Sequence, residues 1–111
     1  MTTYEDIIHN HGATMNQHGE AITYKTGYQV SVRDMLVVDL ASFTQDHVRQ
    51  VMEAVRKQYK GCQAGFWVCD GCVFCDISKH VTSRERAFEL GRQYHQLSVW
   101  DWKRQVEWWM C

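Results

Sequence analysis

From Gln63 to Ser78 the chain reads Gln-Ala-Gly-Phe-Trp-Val-Cys-Asp-Gly-Cys-Val-Phe-Cys-Asp-Ile-Ser, two aromatic and β-branched runs joined by Asp70-Gly71. An Asp-Gly pair supplies the two positive φ angles of a type I′ turn, so the runs are predicted to pair as an antiparallel hairpin with a single register. Cys69 then faces Cys72, and Val68 with Val73, Phe66 with Cys75 and Ala64 with Ile77 make one apolar face. The opposite face carries Gly65, Trp67, Cys69, Cys72, Phe74 and Asp76, a mixture that leaves room for water.

The remaining elements are arranged around this hairpin. Thr2 and Glu5 have capping-box spacing ahead of Ile7 and Ile8, which predicts a short helix over about residues 3–11 closed by Gly12. Ala21 to Tyr24, a turn at Lys25-Thr26-Gly27, and the alternating Tyr28 to Val32 read as a first hairpin. Met35 to Leu40 is apolar except for Asp39, a pattern that fits a strand or an apolar connection equally. Ser42 and Gln45 repeat the capping spacing, and Val48, Val51, Met52, Val55 and Tyr59 recur at helical steps until Gly61. The outer face of that helix, with Arg49, Glu53, Arg56, Lys57 and Lys60, reads as solvated. Thr82 and Glu85 open another helix, whose inward stripe is Ala87, Phe88, Leu90, Gly91 and Tyr94, extending to Leu97 if the helix runs that far. Strands at Val99 to Trp102 and Val106 to Met110 end the chain. The sum is a single α+β domain over residues 1–111: a mostly antiparallel sheet built from two hairpins plus C-terminal strands, with two main helices packed on it.

Composition narrows the function. Leu, Ile, Val and Phe fill 24 of 111 positions and the formal net charge is −1, so the chain is predicted to fold rather than stay disordered. Twelve Lys and Arg against 13 Asp and Glu provide no surplus to neutralise a phosphate backbone, which argues against direct nucleic-acid binding. No apolar run approaches the roughly 18 residues of a membrane span, and Met1 to Asp6 lacks the basic start of a secretion signal, so a cytosolic protein is expected.

In a reducing cytosol, clustered thiols read as metal ligands sooner than as disulfides. Cys69-Asp70-Gly71-Cys72 projects two sulfurs from one turn, as a zinc knuckle requires, and supplies half of a tetrahedral site. A helix returning toward that turn would leave His95 near it, and a C-terminal strand running back would bring Cys111. A structural zinc on Cys69, Cys72 and Cys111, completed by Cys75 or His95, is therefore expected. The alternative leaves Cys69 and Cys72 as free thiols or a reversible, redox-sensing disulfide, with Cys75 an ordinary buried thiol. His9, His11 and His18 are close enough in sequence to suggest a second metal site but read as exposed polar residues. Neither a phosphate loop nor a nucleophile elbow is present, so no catalytic residue is assigned and a non-enzymatic protein is expected.

Five tryptophans exceed what a core of this size needs. Trp108 and Trp109 are adjacent, so in a strand one of them must face outward. Trp102, Lys103, Arg104 and Trp109 together make a candidate partner-binding surface, because Trp and Arg dominate binding hot spots. Packing of the same tryptophans within the domain is the competing reading.

Gly12-Ala13-Thr14-Met15-Asn16, Gly19, Tyr24 to Ser31, Ala87 to Arg92 and Gln96 to Trp102 resemble small proteins encoded by phages and prophages of Gram-positive bacteria. The likeness covers about half the chain. It implies an anti-CRISPR type of protein, which blocks a host defence protein such as a Cas9-type nuclease by binding rather than by catalysis. The resemblance brings no cysteine pattern, so the zinc expectation rests on this sequence alone. The runner-up readings are a zinc-knuckle nucleic-acid-binding accessory protein and a redox-sensing CxxC protein.

Overall fold

A computed structural model describes residues 2–109. The elements in order are α1 (Tyr4–His9), β1 (Gly12–Met15), β2 (Tyr28–Asp39), α2 (Gln45–Gln58), β3 (Gln63–Cys69), β4 (Cys72–Val81), α3 (Arg84–Gln93), β5 (Ser98–Asp101) and β6 (Val106–Trp109). All six strands form one antiparallel sheet in the order β1-β3-β4-β2-β5-β6. The fold is α+β, with a curled sheet and helices on one face of it.

The β3–β4 hairpin has the register expected from sequence, from Gln63 opposite Ser78 to Cys69 opposite Cys72. Asp70 and Gly71 both have positive φ, 50° and 77°, as a type I′ turn demands. Along β4, Val73, Cys75 and Ile77 point to the helix side, where they meet Ala64, Phe66, Ile7, Met15 and the buried stripe of α2, Val48, Val51, Met52 and Val55. Tyr28 and Val30 of β2 pair with Val81 and Lys79, which alternation places on the same side as Ile77. On that side α3 buries Ala87 and Leu90 against Val30 and Val99. The second cluster thus continues the first across the sheet.

Two sequence expectations change. Ala21 to Tyr24 makes no hairpin with Tyr28 to Val32: Ala21 forms only an isolated bridge to Met15, and β2 pairs instead with β4 and β5. Alternation marks a strand without naming its partner, and the long β4 offers β2 a ladder from Tyr28 to Asp39. That ladder absorbs the ambiguous Met35–Asp39 segment as strand, while Leu40 enters a single 3₁₀ turn, Leu40–Ser42. The second hairpin is β5–β6 instead. The helix caps also move: Thr3, Thr44 and Ser83 take the N-cap positions in place of Thr2, Ser42 and Thr82. Leu97 lies beyond α3 and is 72% exposed.

β2 carries irregularities between Ser31 and Arg33 and between Asp34 and Leu36. Extra residues of this kind bend a strand and raise its twist. Placed in a central strand, they accompany the curl that makes the uncovered face concave.

Candidate functional site

The uncovered face contains a half-open groove of about 630 Å³, within the range of small-molecule sites. One end of it is a hydrogen-bond network centred on Gln29. Gln29, buried, donates from Nε2 to Gln63 Oε1 (2.8 Å) and to Ser78 Oγ (2.9 Å), and its Oε1 accepts from the Trp102 indole Nε1 (3.1 Å). Both N–H donors of the amide and one lone pair of its oxygen are thereby used, and the Trp102 ring is held in place. Trp100 meets Trp102 edge to face at 6.2 Å, and Tyr24 packs against Trp102 while stacking on His80 at 3.6 Å.

The floor is set by a cross-strand pair, Gly65 opposite Asp76. A Cβ at Gly65 would stand 2.1 Å from Asp76 Oδ1, so this carboxyl occupies the space that any larger residue would take. Burial, with a smaller contribution from the nearby Asp34 carboxylate, pushes the Asp76 pKa from 3.8 up to about 6. Ser31 opposes the shift, yet its hydroxyl, buried, makes no hydrogen bond of normal geometry. The floor therefore holds an acid and a hydroxyl that lack full protein partners. Glu107 also lines the groove and accepts from Ser98 Oγ at 3.2 Å, and no lysine or arginine among the described residues does so.

At the other end, Trp67 pairs with Phe74 and Phe74 with Val37, so three apolar side chains form a row across three neighbouring strands. They are 49%, 45% and 65% exposed, on the face that no helix covers. Isolated exposed apolar residues are ordinary, but a contiguous row is a docking feature.

The residues singled out from sequence are spread over the molecule. Cys69 is exposed and Cys72 half-buried, directly across the turn from each other, with Cys72 Sγ 3.9 Å from Asp39 Oδ1. Cys75 stands on the opposite face, buried among core residues, and burial pushes its thiol up to about 12. A thiol so reluctant to ionise, and facing away from Cys69 and Cys72, fits a core residue and not a ligand beside them. His95 is also separated from them: β5 meets β2 at Tyr28 and Gln29, whereas Cys72 pairs with Asp39 at the other end of β2. Cys111 lies outside the described residues. Among the described residues no three His, Cys, Asp or Glu side chains converge as a metal site would require, and His9, His11 and His18 are exposed.

Of the candidate docking residues, Trp102 is a groove wall, Lys103 and Arg104 are exposed in the β5–β6 turn, and Trp109 is 67% exposed. Trp108 faces the helix layer, as the alternation of the pair required. Arg104 is tied back to the buried Asp101, which accepts from the Arg104 backbone (3.1 Å), its guanidinium (3.2 Å) and the Trp108 indole (2.9 Å). These donors hold the Asp101 carboxyl below its usual pKa, the Trp108 bond contributing most. Sequence reasoning missed Asp76, Gln29 and Trp100 as site residues. The signal for Asp76 was present in the hairpin register, a glycine directly opposite an acid on the mixed face.

Comparison with protein-family models, with curated proteins and with solved structures finds no match. Among the described residues, no helix is long and apolar enough to cross a membrane.

Proposed function

We propose that this chain is a non-enzymatic inhibitor of the host bacterial cytosol that acts by docking on a defence protein, a Cas9-type nuclease, through the uncovered face of its sheet. The observation that carries the reading is the exposed Trp67–Phe74–Val37 row. Aromatic anchors of this kind dominate binding energy at protein interfaces, and a rigid sheet presents them at little entropic cost. Exposed Trp109 extends the apolar area on the same face, since it pairs with Ser98 beside Trp100. The near-neutral charge favours a protein partner over a nucleic acid, and the resemblance to phage proteins supplies the partner class.

The test is co-purification with a guide-loaded Cas9-type nuclease and a DNA-cleavage assay. The native chain is expected to bind and to inhibit cleavage, with affinity nearly constant between low and moderate salt. Trp67→Ser with Phe74→Ser should abolish both while leaving the unfolding midpoint close to native. Steep weakening with salt would favour the nucleic-acid reading, and full inhibition by the double variant would reject the docking face.

A structural zinc on Cys69 and Cys72, with Cys111 as a further ligand, is part of the same proposal. Both buried clusters close without it, so the ion would brace the hairpin turn and not create the core. Stoichiometric zinc in reduced, purified protein is expected. Its absence removes the metal and leaves the docking surface standing.

A further inference from the structure

The geometry points to a separate recognition site beside the apolar row: the groove floor at Asp76 receives the head group of an organic cation, an alkylguanidinium or alkylammonium. The acid sits in space created by Gly65, flanked along β4 by Phe74 and Ser78. Around it the groove presents the rings of Trp67, Phe74, Trp100 and Trp102 and one further carboxylate, Glu107. Among the described residues no lysine or arginine lines the groove to neutralise these acids, His11 being the imidazole on its rim, and the Ser31 hydroxyl on the floor makes no hydrogen bond of normal geometry. A buried charge without a counterion is costly, and an incoming cation with N–H donors satisfies both the acid and the hydroxyl. Aromatic walls add attraction for the same charge through their ring faces. A neutral or anionic ligand would leave the carboxylate unpaired.

A free amine or guanidine and a basic side chain of a docked protein share this head group. Butylguanidinium, butylammonium, neutral butylurea and a blocked arginine tetrapeptide are titrated into the full chain, followed by tryptophan emission and indole N–H resonances. Cations are expected to bind and butylurea is not. Asp76→Asn should weaken cation binding at least about tenfold, the loss of one charged hydrogen bond. Gly65→Ala should do the same by pushing the carboxyl aside, which keeps the test informative if either variant folds poorly. Binding of the free cations assigns a small-molecule ligand, and binding of the tetrapeptide alone assigns a partner's side chain; both retain Asp76 as the receptor. Equal affinity for butylurea, undiminished binding by the variants, or no binding of any cation overturns the inference. None of these readouts depends on a nuclease, so failure of the docking proposal leaves this one intact.

Discussion

Asp76 is placed by what its neighbour lacks. Gly65 has no Cβ, and the half-buried carboxyl folds into that gap. Folding raises its pKa from 3.8 to about 6, so the folded chain holds the proton more tightly than the unfolded one. Stability is then fullest below pH 3.8, falls as pH rises toward 6 and is level above it. At about 1.36 kcal/mol per pH unit across that window, the loss is at most about 3 kcal/mol. Asp76→Asn is expected to remove this slope and to be the more stable protein at pH 7.5, checked by urea midpoints at pH 4.5 and 7.5. A parallel slope in the variant would mean that another group titrates there. Asp101 shows the opposite case, a buried acid whose three donors hold it charged.

At the scale of elements, caps and turns were read with different success. The Asp70-Gly71 turn was legible because both residues must accept positive φ, a demand few pairs meet. Caps were legible only as neighbourhoods. Thr2-Thr3, Ser42 to Thr44 and Thr82-Ser83 each offer two side chains able to cap, and the contacts beyond the helix decide between them. Thr2 Oγ1 is taken by the Ala21 backbone N–H at 3.0 Å, which leaves Thr3 to cap α1. For α3, Ser83 Oγ accepts from the Arg86 N–H at 3.3 Å. Ser83→Ala should therefore cost about 1 kcal/mol and Thr82→Ala close to nothing, a difference that chemical denaturation of the two variants measures directly.

On the scale of the whole molecule, one sheet joins two buried clusters, α2 over β3 and β4 and α3 over β2 and β5. Since β2 and β4 run through both regions side by side, the clusters are expected to unfold together. Met52→Ala and Leu90→Ala, one in each cluster, should each cost about 2–5 kcal/mol. Their effects should add in the double variant, with coincident transitions by fluorescence and circular dichroism; two separated transitions would show that the clusters are independent. By itself the sequence determined the features that act between near neighbours: the β3–β4 register, the apolar stripe of α2 and that of α3 up to Gly91 though not the exposed Tyr94, the opposite facing of Trp108 and Trp109, and the charge balance. Tertiary structure alone decided that β2 pairs with β4 and not with residues 21–24, that the sheet curls, and that Asp76, Gln29 and Trp100 share a groove. The physical reason is range: turn dihedrals and side-chain periodicity are settled within a few residues, whereas strand order and a concave face depend on ladders between segments tens of residues apart, which compete for one another only when the chain is compact.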